Sequence, residues 1–267
     1  MIFKISAQRY RFRALDRIMF PAGKAGNVLR GALGKELWGS DDFARFFAPE
    51  RKSGPSGLAD PPRPFVFRAA HLDGCAYEAG QQFYFDVHLF DSGGPITNAF
   101  ARAIPGLASL NKSRVEHIAD DRTPVPHGVD LAVAEAASEV TISFLTPVDL
   151  KGATPPSIPF GTLFARVRDR VGALCSLYGD GPLDIDYKAM GARADLIRTL
   201  RCDVRHCDVS RRSGRTGATH PIGGFTGTAE YAGDLGEFMP YLRTAWWTGV
   251  GRHTVWGNGV IDCAARK

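Results

Sequence analysis

The sequence predicts an α+β protein built from two successive units, each opening on a strand, passing into a helix and returning through further strands. Two observations carry this. Residues 2–14 and 140–145 alternate in side-chain character at a period of two, and each run is followed by apolar residues at helical spacing. A chain of 267 residues also has the length for two domains of about 130 residues, each burying its own core. The pattern alone leaves several α+β arrangements open. No short-period repeat is present.

In the first strand Tyr10, Phe12 and Ala14 point one way and Arg9, Arg11 and Arg13 the other, giving a half-buried strand with a basic outer face. Core packing is expected for Tyr10 and Phe12, with base stacking as the alternative for one of them. A glycine-punctuated turn at Pro21–Gly26 precedes a helix predicted over Asn27–Trp38. Its apolar stripe is Val28, Leu29, Ala32, Leu33 and Leu37, with Arg30 and Lys35 toward the polar side. The start of that helix offers backbone N–H groups to a phosphate. Residues 48–64 read as a Pro/Gly/Ser-rich loop, and 65–68 and 82–90 as strands, with Phe83, Phe85 and Val87 on one face. A helix is expected near 97–110, then mixed polar text, with the domain junction inside 130–138.

The second unit starts with the alternation of Val140, Ile142 and Phe144 against Thr141, Ser143 and Leu145. A turn-rich connection at 147–159 leads to a helix over 160–178. Phe160, Leu163, Phe164, Val167, Val171 and Leu174 form its buried stripe, and Arg166 and Arg170 are expected to share an outward face. Residues 200–206 read as a strand, Arg211–Thr219 as a basic loop, Phe225–Tyr231 as a strand, Leu235–Trp246 as a helix and Val260–Asp262 as the closing strand.

A hydrophobic content of 44% with 23% charged residues places the chain among soluble globular proteins and excludes fibrous and disordered classes. The net charge of +5 favours an anionic partner. Between Arg198 and Arg215 six arginines face only Asp203 and Asp208. Arginine suits bidentate phosphate contacts and base stacking better than lysine does. Five cysteines, without framework spacing, argue against a secreted disulfide scaffold. Cys202, His206 and Cys207 lack a C-x-x-C partner among Cys75, Cys175 and Cys263, so no metal site and no cofactor are expected. The basic start (Lys4, Arg9, Arg11, Arg13) has no apolar segment after it, and no run of 18 apolar residues occurs. A cytoplasmic location without a membrane partner is the expectation.

Near the C-terminus stands Gly249-Val-Gly251-Arg252-His253-Thr-Val-Trp256-Gly257-Asn-Gly259, two G-x-G pairs in a basic, aromatic setting. Glycine lets backbone N–H groups approach a partner closely, and the setting suits a negatively charged, base-bearing ligand. A dinucleotide fingerprint needs G-x-G-x-x-G after an early strand and opening a helix, which neither spacing nor context provides. A glycine-rich hairpin that stabilises the terminal sheet is the alternative.

Taken with other segments, this loop resembles that of the CRISPR-associated endoribonucleases that process precursor CRISPR RNA, members of the repeat-associated RNA-binding superfamily. The resemblance runs from Pro21–Gly34 and Pro61-Pro62-Arg63-Pro64-Phe65-Val66 through Thr141–Pro147 and the helix from Phe160 to Tyr178. It continues in Arg211-Arg212-Ser213 and Gly223-Gly224-Phe225-Thr226-Gly227, and ends at the double G-x-G loop. It implies two tandem ferredoxin-like domains. Residues 1–131 would carry the cleavage helix, and 132–267 would bind RNA with the glycine-rich loop.

The implied reaction is metal-independent cleavage of CRISPR repeat RNA, in which a 2′-hydroxyl attacks the adjacent phosphate. Such a reaction needs a base, an acid and cations for the phosphoryl oxygens. Many family members place a histidine in the first helix, in a Gly-His-Ala-Leu pattern, where this chain reads Gly34-Lys35-Glu36-Leu37. The departure leaves either a lysine-assisted mechanism or a non-catalytic repeat-RNA-binding or scaffold subunit of a CRISPR effector complex. Lys35, in place of that histidine, and Arg30 are the catalytic candidates, joined by His253, which is read first as a phosphate or base contact and second as a group in the chemistry. The resemblance assigns Lys24, Arg211, Arg212, Arg215, His220, Gly249, Gly251, Arg252, Trp256, Gly257 and Gly259 to RNA binding. For Lys35 and Lys24, ordinary solvent-facing roles are the alternative, and for Arg30 an internal ion pair.

Overall fold

A computed structural model of the chain describes residues 1–47, 61–91, 94–121, 127–153, 155–212 and 217–266. It separates into two compact units: Lys4–His127 with Val255–Gly257, and Met1–Phe3 with Gly128–Thr254 and Asn258–Lys267.

The first unit contains β1 (Ile2–Ala14) from Lys4 onward, α1 (Ala25–Glu36), α2 (Asp41–Phe47), β2 (Phe65–Arg68), β3 (Gln82–Leu89), α3 (Pro95–Ala103) and β4 (Ser113–Asp121). Its antiparallel strands lie in the order β2-β3-β1-β4, with the short strand Ser109–Leu110 beside β4. The alternation in β1 does what its period requires: Tyr10, Phe12 and Ala14 are all but inaccessible. Phe12 meets the Phe85 and Phe83 rings at 5.6 and 6.0 Å. Leu29 and Leu33 of α1 and Phe100 of α3 complete this core.

The second unit contains β5 (Glu139–Val148), α4 (Phe160–Tyr178), α5 (Tyr187–Ala194), β6 (Arg198–Cys207), β7 (Ser210–Arg212), β8 (Thr219–Pro221), β9 (Gly224–Ala232), α6 (Met239–Thr248) and β10 (Ile261–Arg266). The antiparallel order β6-β9-β5-β10 repeats that of the first unit: second, third, first, fourth. Both units are therefore ferredoxin-like, and the fold is α+β. Phe160 of α4 stands edge-on to Tyr231 of β9 at 5.2 Å, and Phe164 to Phe238 at 4.6 Å.

Three local expectations change, and one helix, α5, enters where the sequence predicts no element. The helix near 97–110 stops at Ala103, because Ile104-Pro105-Gly106 tightens into a single 3₁₀ turn and Pro105 has no N–H with which to continue. The mixed polar text after it is strand β4; its His117 turns inward against Phe12 at 5.4 Å. Helix α5 is short, but the Asp186 carboxylate caps it by accepting from the Lys188 and Ala189 N–H groups at 3.0 and 2.9 Å. Arg166 and Arg170 do not share an outward face. Arg166 reaches Asp169 at 3.6 Å, whereas Arg170 is buried at 8% exposure, since α6 packs along that side of α4. Among the described residues no helix is long and apolar enough to cross a membrane.

Candidate nucleic-acid interface

In the first unit, α1 begins at Ala25, two residues earlier than its apolar stripe predicts. The cause is Asp73, whose carboxylate accepts the Ala25 N–H at 2.8 Å. The start of α1 is thus already partly engaged by an internal anion, contrary to the expectation of an open phosphate site there. Burial raises the Asp73 pKa above the usual carboxylate value.

Lys24 occupies the N-cap position of α1 and Lys35 its last turn. Eleven residues make three turns, so the two lysines project from the same side about 16 Å apart along the axis. Between them on that side lies Gly31, exposed, where an added Cβ would meet nothing within 4 Å. Arg30 differs. Five residues from Lys35, it is rotated by roughly 140° about the helix. Its guanidinium lies over the Phe47 ring at 4.9 Å and the Trp256 ring at 5.2 Å. The two proposed catalytic groups of α1 therefore do not converge. Gly26 makes the Trp256 contact sterically feasible: a Cβ there would fall 2.3 Å from the Trp256 carbonyl oxygen. Gly257 follows with a φ of 87°.

In the second unit the glycine loop leaves the end of α6. Gly249, Gly251 and Gly259 have φ of 70°, 77° and 76°, and His253 adopts 65°, a region L side chains rarely enter. The space a side chain would need is filled by protein backbone. A Cβ on Gly251 would lie 2.3 Å from the Asp149 carbonyl oxygen, and one on Gly259 2.2 Å from that of Val250. Backbone bonds close the loop: the Val250 N–H donates to Gly259 at 2.8 Å, Gly259 to Pro147 at 2.9 Å and Arg252 to Asp149 at 3.0 Å. The glycines are thus first a requirement of the loop's own conformation. What the loop presents outward is Arg252, exposed, with Nη1 3.6 Å from Asp149 Oδ2; His253 Nε2 stands 3.7 Å from the same oxygen. One carboxylate thus stands beside both the Arg252 and the His253 side chains.

Among the described residues, the two ends of the predicted basic loop are strands rather than loop. β7 and β8 pair with Arg211 opposite His220 and Arg212 opposite Thr219, so cross-strand neighbours share a face. His220 is exposed. The side chains of Arg211 and Arg212, and Arg215 altogether, lie outside the described residues. On β6, Arg201 pairs with Asp203, and His206 Nε2 lies 3.0 Å from Asp208 Oδ1. Cys202 and Cys207 fall on opposite faces of the strand, and the Cys207 thiol contacts Thr226 Oγ1 at 3.2 Å. The Cys202, His206 and Cys207 trio does not converge. Asp73, Phe47, Asp149 and Arg170 have no sequence signature of their own; each is defined by what folding places beside it.

Residues 142–261 match the family model described as CRISPR-associated endoribonuclease Cas6. No curated protein matches the chain. The whole chain resembles solved structures. Against the Cas6 (TTHB231) product complex the TM-score is 0.62 at 17% identity, covering 97% of this chain and 100% of that one. Against Thermus thermophilus Cas6 (TTHB231) it is 0.61 at 16% identity, covering 98% of each. Against a chain of a Cas6-RT-Cas1–Cas2 complex the TM-score is 0.62 at 11% identity, covering 98% of this chain and 29% of that one. These likenesses extend the shared fold over nearly the full length, while the match to the CRISPR-associated endoribonuclease Cas6 family model is confined to residues 142–261, less than half of the chain.

Proposed function

We propose that this chain cleaves CRISPR repeat RNA by metal-independent attack of a 2′-hydroxyl on the adjacent phosphate, generating guide RNAs. The observation that supports this most is the family match over 142–261, which spans the basic hairpin and the glycine loop. In this reading residues 1–131 supply the cleavage helix and 132–267 hold the RNA. Lys35 is exposed on α1 and acts as a cation on the phosphoryl oxygens. Lys24, on the same side, steers the phosphate backbone. His253, beside Asp149, provides acid–base chemistry or a phosphate contact. Arg30 acts indirectly, by fixing Trp256 against α1. Arg211, Arg212, Arg215, Arg252 and His220 bind the strand.

A second reading is favoured by one observation: α1 contains no histidine. The chain would then bind repeat RNA without cutting it, as a subunit of a CRISPR effector complex. End-labelled repeat RNA incubated with the protein in EDTA separates the two. A single cleavage, abolished by one 2′-deoxy substitution at the scissile nucleotide, supports the first. Intact but bound RNA supports the second. A magnesium requirement overturns the proposed mechanism.

A further inference from the structure

Arg170 has no place in the chemistry above, yet it is the one arginine of α4 that the fold buries. It is 8% exposed, and its Nε donates to the Thr248 carbonyl oxygen at 2.9 Å. Its Nη2 is inaccessible, with no hydrogen-bond acceptor among the described residues. Among those residues no carboxylate forms an ion pair with it. Burial pushes the guanidinium down to about 10, so it remains a cation at neutral pH.

Burying an unpaired charge costs far more than burying a neutral donor, and methionine or glutamine would fill similar space. What meets the charge is the carbonyl end of α6, the negative end of its dipole. Thr248 is the last residue of α6, and Gly249 begins the loop with a φ of 70°. Thr248 Oγ1 donates to the Gly249 carbonyl at 2.9 Å, and the Val250 N–H closes the loop onto Gly259. A shift of the Thr248 carbonyl would therefore be passed directly into the loop.

We propose that Arg170 is a positioning residue, a buried cation that anchors the end of α6 and thereby holds the Gly249–Gly259 loop in its RNA-binding form. The inference rests on the RNA-binding reading above, and its test separates the two. Hydrogen exchange at the Val250 and Gly259 amides reports the loop without RNA; repeat-RNA affinity and single-turnover cleavage report its use. In Arg170→Met, loop protection should fall while the strands of the same unit keep theirs. Affinity should weaken about tenfold, what one hydrogen bond from a charged donor supplies. The rate at saturating RNA should stay within about threefold, because the lost interaction serves binding rather than the transition state. Arg170→Lys keeps the charge without the planar donor and should fall between Arg170→Met and wild type in both readouts.

Unchanged loop protection in folded Arg170→Met overturns the proposal. So does an unfolded Arg170→Met beside an Arg170→Lys indistinguishable from wild type at the loop, since Arg170 would then serve stability alone. Wild-type protein without affinity for repeat RNA sinks the functional reading and leaves the exchange result to judge the anchoring.

Discussion

The same substitution at two glycines of α1 should act with opposite sign. Alanine is favoured over glycine inside a helix by about 1 kcal/mol. At Gly31 a Cβ meets nothing within 4 Å, so Gly31→Ala should deliver most of that gain, about 0.5–1 kcal/mol. At Gly26 the new methyl would lie 2.3 Å from the Trp256 carbonyl oxygen and 2.6 Å from its carbon. Both are backbone atoms, so no side-chain rotation relieves the contact. Overpacking costs about 1–3 kcal/mol, and moving Trp256 away from Arg30 forfeits a cation–π contact of about 0.5–1 kcal/mol. Against the helical gain, Gly26→Ala should be net destabilising by about 1–2 kcal/mol. Thermal unfolding should then show Gly31→Ala melting roughly 2–3 °C above wild type and Gly26→Ala several degrees below. A Gly26→Ala protein as stable as Gly31→Ala would refute the argument that the 255–257 backbone is seated against α1.

Three further outcomes follow from single contacts. Asp73→Ala removes the acceptor for the Ala25 N–H and should cost about 1 kcal/mol in urea unfolding, whereas Asp73→Asn keeps an acceptor and should cost less. Because burial raises the folded-state pKa of Asp73 above 3.8, the folded form holds that proton more tightly than the unfolded chain. Wild type should thus lose stability relative to Asp73→Asn as pH rises from about 4 through that higher value; a gap that widens in the opposite direction excludes the assignment. Arg252→Ala should weaken repeat-RNA binding and lower the salt slope by about one ion, measured by titration at several salt concentrations; an unaltered slope removes Arg252 from the phosphate contacts. Burial pushes the Cys175 and Cys263 thiols up to about 11, so iodoacetamide at pH 8 should label half-exposed Cys75 and Cys207 first, as peptide mapping would show.

Much of the fold was legible from side-chain periodicity, because burial on one face is a local demand that repeats every two or 3.6 residues. Tyr10 against Arg9, and Phe160 with Leu163 and Phe164, announce their elements without reference to anything distant. Strand β4 and helix α5 were hidden: β4 sets a half-buried histidine against Phe12, and α5 rests on one capping carboxylate. The glycines of the 249–259 loop were also visible, as were the arginines around the hairpin. Their causes were not. The left-handed conformations at Gly251 and Gly259 answer to the Asp149 and Val250 carbonyls, one of them about a hundred residues away in the chain. Arg30 and Lys35 look equivalent on a helix written as text, and only the Phe47 and Trp256 rings separate the clamped cation from the exposed one. Arg170 reads as a solvent-facing residue four from Arg166 until α6 covers it. Local periodicity can specify which face of an element is buried against its own sheet; which second element then closes over it is a matter of long-range packing, decided by tertiary structure alone.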